Sequence, residues 1–333
     1  MRIAVDAMGG DYGPKEIIRG VAVALEAKED LQVLLVGPED LELEINSFPV
    51  PLRARIELVP ATEVIGMGEQ PGHALRRKRN ASVVIAARLV KEGKAAGFIS
   101  AGNTGAAMGA ALLQMGRITG VERPAIASPL PTAKGMALLV DAGANADAKP
   151  SYLLQFALMG AIYAESVFGI KNPRVGLLNI GSEPEKGNEL SQKAFLLLEK
   201  APLNFIGNIE GRGLPAGEAD VIVCDGFVGN VVLKLVEGLA YSLFAMLREQ
   251  LATSFRTRLG AVLALPAFHS IKTKLDYKEY GGAPLLGLNG ICIISHGSSD
   301  ATAIKNAIGA AVNAVENDIN NQIANKLQGL MEG

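Results

Sequence analysis

Apolar and polar positions alternate along this chain in a way that predicts strands and helices in turn. Short runs rich in Val, Ile and Leu predict strands, and longer segments with apolar positions three and four apart predict helices. The predicted strands are 2–6, 31–36, 55–59, 97–100, 136–140, 174–180, 204–208, 220–224 and 291–295. The predicted helices are 14–28, 80–93, 103–115, 150–168, 187–200, 227–252 and 299–328.

This alternation is typical of an α/β fold, a three-layer α/β/α sandwich in which a mostly parallel sheet has helices on both faces. We expect residues 1–333 to form a single α/β/α catalytic domain, with a two-lobe split near residue 130 as the alternative. The alternation breaks at residues 253–290, and we expect a helical excursion at about 250–280. The excursion combines 259–265, Pro266 and Phe268 with the basic residues Arg256, Arg258, Lys272 and Lys274.

The composition narrows the class of protein. Apolar residues make up 49% of the chain and aromatic residues only 5%, so small aliphatic side chains must fill the core, as in a buried parallel sheet. The formal net charge of −2 argues against a nucleic-acid binder. Cys224 and Cys292 lie inside apolar runs, which predicts buried strand residues in a reducing cytosol.

Two kinds of targeting segment are not expected. The N-terminal residues enter a predicted strand at once, so we expect no signal peptide. No stretch approaches the roughly 18 uncharged apolar residues of a membrane-spanning helix. A cytoplasmic enzyme fits both observations.

The most informative segment is residues 98–111, where an apolar strand, a tight turn of small residues and an Ala-rich helix follow one another. The turn contains Ser100, Gly102, Asn103, Thr104 and Gly105. The first N–H groups of a helix have no partner inside the helix, and the helix dipole favours negative charge there. The segment therefore predicts a phosphate or oxyanion site, although many such turns bind nothing.

Similar polar turns follow other predicted strands. They contain Asp6, Gly9, Gly10 and Asp11 after the first strand, Asp141 and Asn145, Asn179 and Lys186, Asn208, and Asp225 and Asn230 with Lys234 one turn beyond. Each has an ordinary explanation as a turn. Ligand sites of parallel sheets lie beyond the carboxyl ends of the strands, so we expect these turns to meet at one edge and form a polar cleft.

Three charged or titratable residues are candidates for chemistry in that cleft. Lys186 and Lys234 can neutralise an anion, or each can be an ordinary solvated lysine. His296 ends the last predicted strand just before a helix cap, which favours a place in the cleft or a hydrogen-bonded structural role. His73 and His269 lie in loops, and we expect them at the surface.

Several familiar motifs are missing from the sequence. There is no G-x-G-x-x-G, no G-x-x-x-x-G-K-[ST], no G-x-S-x-G and no His/Cys cluster with metal spacing. We therefore expect no cofactor, no metal and no covalent Ser or Cys intermediate. Direct transfer between two bound substrates, assisted by positioning and oxyanion stabilisation, fits the sequence better.

Two surface segments suggest partners. Residues 76–79, Arg-Arg-Lys-Arg, lie in a predicted loop and form either a solvated face or a docking site for an acidic partner. Residues 250–275 mix apolar and basic side chains, which is typical of a membrane-interface segment but also of a dimer contact or a covering helix pair.

Taken together, these motifs resemble one family. In chain order they are Asp6-Ala7-Met8-Gly9-Gly10-Asp11, Ser100-Ala101-Gly102-Asn103-Thr104-Gly105-Ala106, Asp141-Ala142-Gly143-Ala144-Asn145, Leu178-Asn179-Ile180-Gly181, Gly207-Asn208-Ile209-Glu210-Gly211, Asp225-Gly226-Phe227-Val228-Gly229-Asn230 with Leu233-Lys234, and Gly281 to Gly290 leading to His296-Gly297. The chain resembles the bacterial phosphate acyltransferases of phospholipid synthesis, the acyl-ACP:phosphate acyltransferases. One departure is Asn80-Ala81-Ser82, where relatives are expected to have an Asp-Ser-Ser-like run.

The resemblance implies transfer of a long-chain acyl group from acyl carrier protein (ACP) to inorganic phosphate. The acyl phosphate product would supply a membrane glycerol-3-phosphate acyltransferase. The resemblance also implies a fold like isocitrate and isopropylmalate dehydrogenases, a homodimer, and peripheral attachment to the membrane through about 250–275. Because ACP is acidic, it is a plausible partner for the basic segment 76–79.

On this interpretation the candidate residues take two roles. The substrate-binding candidates are Asp6, Gly9, Gly10, Asp11, Ser100, Gly102, Asn103, Thr104, Gly105, Asp141, Asn145 and Asp225. The catalytic candidates are Asn179, Lys186, Asn208, Asn230, Lys234 and His296, with the three asparagines as alternative donors to the oxyanion. Two other functions stay open, a decarboxylating NAD-dependent dehydrogenase on the same fold and a non-catalytic scaffold of the phospholipid pathway.

Overall fold

Eleven strands form one sheet in the computed structural model, which describes residues 1–275 and 277–332. The strands are β1 (Arg2–Asp6), β2 (Gln32–Gly37), β3 (Ile56–Pro60), β4 (Gly97–Ser100), β5 (Ala125–Thr132), β6 (Gly135–Val140), β7 (Arg174–Asn179), β8 (Asn204–Glu210), β9 (Val221–Val223), β10 (Ala283–Leu286) and β11 (Ile291–Ile294). The side chains of residues 272, 274–278 and 330–333 lie outside the described part, and these include the predicted basic residues Lys272 and Lys274.

Helices connect most of the strands. They are α1 (Pro14–Ala27), α2 (Glu42–Asn46), α3 (Val50–Arg53), α4 (Pro71–Arg77), α5 (Ser82–Lys91), α6 (Thr104–Met115), α7 (Pro150–Phe168), α8 (Glu189–Glu199), α9 (Gly213–Ala216), α10 (Gly226–Leu251), α11 (Phe255–Leu275), α12 (Ala301–Glu316) and α13 (Ile319–Glu332). Short 3₁₀ turns occupy Glu39–Leu41 and Tyr277–Tyr280. Several helices begin where the sequence predicts, because proline occupies the first helical turn or Asn or Asp caps it.

The sheet is mostly parallel, as predicted, and its strand order is β3-β2-β1-β4-β11-β10-β5-β6-β9-β7-β8. Seven of the ten strand pairs are parallel, and the three antiparallel pairs all involve β5 or β10 in the middle of the sheet. With these two strands in between, β6, β7, β8 and β9 run opposite to β1–β4 and β11. The expectation that all polar turns share one edge of the sheet is therefore wrong.

Helices cover both faces of the sheet, which confirms the predicted α/β/α layering. Alternate strand residues point to opposite faces, so that Ile3 and Val5 of β1 join one buried cluster and Ala4 joins the other. The first cluster contains buried residues of α1, α7, α8, α12 and α13. The second contains buried residues of α4, α5, α6 and α9, with part of α10 packed against it.

The nine predicted strands are confirmed to within two residues at their ends, but β5 and β10 were not predicted. Pro129 and Pro131 interrupt the β5 sequence, and proline is rare in strands because it cannot donate a ladder hydrogen bond. The run at 128–131 that suggested a split near residue 130 lies inside β5. The predicted helix 299–328 is divided into α12 and α13 at Asp318, whose φ of 50° is left-handed.

The structure bears on three predictions about surface segments. Residues 76 and 77 belong to α4 rather than to a loop. The excursion at about 250–280 is helical, as predicted: it contains the long helix α11, which follows α10 and continues through Pro266. By length and composition α10 could cross a membrane, although it carries the charged residues Lys234, Glu237, Arg248 and Glu249. The sequence alone had indicated no candidate of this kind.

Candidate active site

Three turns of the first half of the sheet meet beyond the ends of β1, β4 and β11. A side-chain Cβ on Gly9 would lie 2.5 Å from the backbone nitrogen of Gly102, so only glycine allows this approach. The N–H of Asp11 donates to the carbonyl of Gly297 at 2.7 Å. Gly10, whose φ is 103°, also faces Gly297. The structure thus brings together the predicted residues of the first turn and of the anion-site turn.

The buried side chains of Asp6 and Ser100 hold this group of turns together. Asp6 is only 4% exposed, and its carboxylate accepts a hydrogen bond from the Ser100 hydroxyl at 2.7 Å and from the Met8 N–H at 3.1 Å. Burial raises the pKa of Asp6, and hydrogen bonds from Ser82 and Ser100 oppose that rise. Because Ser100 Oγ also accepts from the Gly102 N–H at 3.2 Å, both side chains serve the turn itself.

Asn103 caps α6 and holds a neighbouring loop. Its Oδ1 accepts from the Ala106 N–H at 3.0 Å, and its Nδ2 donates to the carbonyls of Met67 at 2.9 Å and Glu69 at 3.1 Å. The N–H groups of Thr104 and Gly105 have no hydrogen-bond partner among the described residues. These two donors and the exposed Thr104 side chain therefore keep the anion-binding capacity predicted from the sequence.

A second group of turns follows β6 and β9 in the other half of the sheet. Asp141 is fully buried, and its carboxylate accepts from the N–H groups of Ile126, Gly143, Ala144 and Asn145 at 2.7–3.2 Å. Burial raises the pKa of Asp141, while these hydrogen bonds oppose the rise.

The other two substrate-binding candidates of this group also serve the fold. Asn145 Nδ2 donates to Asp141 Oδ2 at 2.9 Å and to the Pro124 carbonyl at 2.8 Å. Asp225 caps α10 by accepting from the Val228 N–H at 2.8 Å. These hydrogen bonds fasten the turn after β6 to the segment before β5 and cap the start of α10.

Helix α10 connects the two groups of turns. It begins at Asp225 beside the second group, and Lys234 lies about 12 Å further along its axis. There Lys234 Nζ is 2.9 Å from His296 Nε2, at the end of β11 in the first group. Lys234 Nζ also donates to Glu237 Oε2 at 2.8 Å, one helical turn further on.

The Lys234–His296 contact fixes the chemistry of both residues. An ammonium only donates hydrogen bonds, so His296 Nε2 must accept and the imidazole is neutral. Its other nitrogen, Nδ1, is 2.9 Å from Ser298 Oγ. Burial and then the Lys234 charge lower the pKa of His296, whereas Glu237 and Asp11 oppose that change. Among the described residues, His296 and Glu237 take two of the three Lys234 N–H bonds, which leaves the third for a ligand.

These residues line a pocket of about 330 Å³ between α6, α10 and β11. Polar groups at its wall are Thr104, Ser128, Asn230, Lys234, Glu237, Tyr280, Ser295 and His296. Its apolar wall consists of Met67, Ile126, Pro129, Ala142, Leu233, Ala283 and Ile294. The pocket therefore combines donors for an anion with a surface for an apolar group, and it lies over the sheet rather than along one edge.

Three catalytic candidates lie outside this pocket. Asn179 is the last residue of β7, Lys186 follows that strand, and Asn208 belongs to β8. These strands lie five and six positions from β11, which is about 24 Å or more along the sheet. Asn179 Nδ2 donates to the Lys186 carbonyl at 3.0 Å, and Asn208 Nδ2 donates to the Glu183 carbonyl at 2.7 Å. Among the three proposed oxyanion donors, only Asn230 lines the pocket.

Three residues that support the site were not predicted from the sequence. Glu237 binds Lys234, Ser298 contacts His296, and Ser82 hydrogen-bonds Asp6. The spacing of Lys234 and Glu237, three residues apart on a helix, is a signal that could have found that pair. Within the described residues, no group of three His, Cys, Asp or Glu side chains could hold a metal ion.

Comparison with known proteins gives a consistent picture. The chain matches the family described as "Fatty acid synthesis protein" over residues 1–322. It is 57% identical over 310 residues to a phosphate acyltransferase of Desulfitobacterium hafniense (strain DSM 10664 / DCB-2), covering 92% of both chains. It is 58% identical over 311 residues to a phosphate acyltransferase of Heliobacterium modesticaldum (strain ATCC 51547 / Ice1), again covering 92% of both chains.

Solved structures with low sequence identity share the fold. A phosphotransacetylase from Streptococcus pyogenes superposes with a TM-score of 0.63 at 18% identity, covering 95% of this chain and 94% of that one. EutD phosphotransacetylase from Staphylococcus aureus superposes with a TM-score of 0.60 at 17% identity, with the same coverage. At these identities the likeness concerns the fold alone.

Proposed function

The chain belongs to the family of fatty acid synthesis proteins that includes these phosphate acyltransferases, and we propose that it transfers a long-chain acyl group from acyl-ACP to inorganic phosphate. The product is an acyl phosphate for phospholipid synthesis. Membership makes the chain an acyltransferase of lipid biosynthesis, in preference to a dehydrogenase or a non-catalytic scaffold. The observation that carries the proposal is the pocket with Lys234, His296 and the start of α6 at its wall.

Phosphate binds between the start of α6 and Lys234. The N–H groups of Thr104 and Gly105 and the Thr104 hydroxyl donate to its oxygens, and the dipole of the 12-residue α6 adds attraction. The remaining N–H of Lys234 supplies a full positive charge. Asp6, Ser100 and Asn103 hold this arrangement in place without touching the ion.

The acyl transfer is a single exchange at the thioester carbon. A phosphate oxygen forms a bond to the carbonyl carbon, the carbonyl oxygen becomes an oxyanion, and the C–S bond then breaks as the carbonyl re-forms. Asn230 donates to the oxyanion from the same wall of the pocket. The proton of hydrogen phosphate ends on the released thiol, while neutral His296 accepts from Lys234 and holds its ammonium at the wall of the pocket.

A basic surface next to the pocket fits an acidic carrier protein. Arg76 and Arg77 of α4 and the following Arg79 are exposed. Helix α4 packs directly on α6, since a Cβ on Gly105 would meet the Pro71 ring at 2.6 Å. ACP held on these arginines would deliver its thioester across the start of α6.

The product is an amphiphile, and α10 and α11 offer an apolar surface close to where it forms. Phe255 and Leu263 of α11 are 81% and 78% exposed, and Leu235, Leu239 and Leu243 of α10 are also exposed. We propose that α11 lies on the membrane surface and that the exposed face of α10 pairs with a second copy in a homodimer. A cytoplasmic enzyme attached in this way releases acyl phosphate beside a membrane glycerol-3-phosphate acyltransferase.

The direct test follows labelled phosphate. Purified protein is incubated with palmitoyl-ACP and ³²P-labelled phosphate, and we expect lipid-extractable label and free ACP thiol to appear at equal rates. Thiol release that does not require phosphate, or no release at all, contradicts the proposal. Palmitoyl-CoA in place of palmitoyl-ACP tests whether the carrier protein is the preferred donor.

Membrane attachment is tested separately from catalysis. Phe255→Glu with Leu263→Glu should move the protein from sedimenting vesicles to the supernatant while turnover of soluble acyl-ACP is kept. The matched control is Leu196→Glu with Leu197→Glu on α8, which also replaces two exposed apolar residues. Unchanged sedimentation of the α11 variant means that another surface holds the membrane.

A further inference from the structure

One stripe of α10 runs from the pocket into a second, larger cavity. The pocket is lined by Asn230, Leu233, Lys234 and Glu237, and the cavity by Tyr241, Phe244, Ala245 and Arg248 of the same helix. These positions recur at steps of three and four residues, so they lie on one face of the helix. From Lys234 to Arg248 this face is about 21 Å long.

The second cavity is an apolar groove between α10 and α11 with a volume of about 1070 Å³. Ala261, Val262, Leu265 and Phe268 of α11 form its other wall. Of its thirteen described lining residues, only Arg248, Glu249 and Arg258 are charged. All three lie at the end away from Lys234, so the part nearest the pocket is apolar.

We infer that the acyl chain of the substrate lies along this α10 stripe, with its thioester at Lys234 and its methyl end in the α10–α11 groove. The inference rests on the proposed function. An apolar chain must leave water over its whole length, and the 330 Å³ pocket also has to hold phosphate. The groove continues the same helix face, and Tyr241 at its near end is 80% exposed.

The opposite face of α10 is the better surface for a second copy. Leu235, Leu239, Leu243 and Met246 form an exposed stripe on that face, and none of them lines the groove. The two apolar faces of α10 therefore serve different occupants. On this assignment, residues around Ala245 set the longest acyl chain that the enzyme accepts.

The test narrows the groove and compares acyl chain lengths. Ala245→Trp should lower kcat/KM for palmitoyl-ACP about tenfold or more and change that for hexanoyl-ACP less than about twofold, because only the long chain reaches the added ring. Leu243→Trp, on the opposite face, is the matched control and should leave the ratio of the two values unchanged. The mass of each variant in solution is measured alongside.

The outcomes separate the inference from the proposed function. If wild type fails to acylate phosphate with either donor, the proposed function is wrong. The inference is wrong if wild type is active and Ala245→Trp lowers kcat/KM equally for palmitoyl-ACP and hexanoyl-ACP. It is also wrong if the variant changes the oligomeric mass but leaves the ratio of these two kcat/KM values unchanged.

A second measurement needs no variant. Palmitoyl-ACP carrying a diazirine at the methyl end of its chain is bound to the wild-type protein and irradiated. We expect the cross-linked peptides to come from 241–268. Cross-links to the cavity on the other face of the sheet, lined by Tyr163, Phe168 and Asn313 among others, would overturn the inference.

Discussion

Two polar clusters on either side of the pocket differ in where their hydrogen bonds go. The carboxylate of Asp141 is fully buried and is used by five N–H donors of its own turn and of β5. Lys234 and His296 bind each other and Glu237 or Ser298, but Lys234 keeps one N–H and faces an open cavity. From sequence motifs alone, residues of both clusters were candidates for substrate binding or catalysis.

The difference shows how to divide roles among polar residues in turns. A buried group whose hydrogen bonds are all internal lowers the free energy of the fold and has no capacity left for a ligand. A group that keeps a donor or acceptor toward a cavity can act on a substrate. By this criterion we expect the buried Asp6, Ser100 and Asp141 to position the site, together with the turn and cap residues Asn103, Asn145 and Asp225, and we expect Thr104, Asn230, Lys234 and His296 to act in it.

The largest loss of activity should come from the cluster of Lys234 and His296, which faces the pocket and is called the open cluster below. Lys234→Met removes the only lysine charge among the described pocket residues, and we expect kcat to fall about 100- to 1000-fold, as when an oxyanion donor is lost. The melting temperature should stay close to that of wild type because the ammonium is exposed. Lys193→Met is the control, since Lys193 also pairs with a glutamate on an exposed helix face. A similar loss of kcat in both variants would show that Lys234 has no specific role in the reaction.

Substitutions in the cluster around Asp141, whose hydrogen bonds are all internal, should lower stability rather than act first on turnover. Asp141→Ala leaves several buried N–H groups without an acceptor, and the free energy of unfolding should fall by about 3 kcal/mol or more. Asp225→Ala loses only one helix cap and should cost about 1 kcal/mol. Urea unfolding followed by circular dichroism measures both. A stable Asp141→Ala variant with no turnover would contradict the division of roles.

The pKa of His296 links the two residues of the open cluster. In wild type we expect His296 to titrate below its ordinary value of 6.5, chiefly because of burial and then because of Lys234. Since the fold favours the neutral imidazole, its contribution to stability is present above pH 6.5 and is lost as the pH falls through the lowered pKa.

Lys234→Met should move that pKa upward, toward 6.5, by removing a neighbouring positive charge. Proton NMR titration can follow it, because the chain has only three histidines. A pKa that does not respond to Lys234 would show that the 2.9 Å contact does not persist in solution.

The smallest effect should come from the phosphate side of the pocket. Thr104→Val removes one neutral donor and keeps the side-chain shape, so KM for phosphate should rise about 2- to 10-fold with little change in kcat. Thr62→Val changes an exposed threonine elsewhere and serves as the control. A rise in KM for acyl-ACP instead of phosphate would show that Thr104 contacts the acyl donor and not phosphate.

The sequence predicted the local elements well, because apolar periodicity, Pro14, Pro150 and the caps at Asn103 and Asp225 are all local signals. It also predicted Lys234 and His296 as candidates. It did not reveal that they touch, because that contact depends on the direction of α10 across the sheet.

The same limit explains the candidates that lie elsewhere. Asn179, Lys186 and Asn208 have the same turn chemistry as Asn230, but strand order places them at the far side of the sheet. Strand order results from long-range pairing, and β5 and β10, which reverse half of the sheet, carry prolines that hide them from a pattern search.

Helix α10 extends for about 39 Å as one continuous rod, with Lys234 in its first third and exposed leucines beyond it. The hydrogen bonds along such a helix resist bending. A displacement of its C-terminal part is therefore transmitted to the Lys234 ammonium near its start. If α11 attaches to a membrane as proposed, a shift of the outer part of α10 would also shift Lys234 relative to His296, so turnover would differ between the attached and the free enzyme.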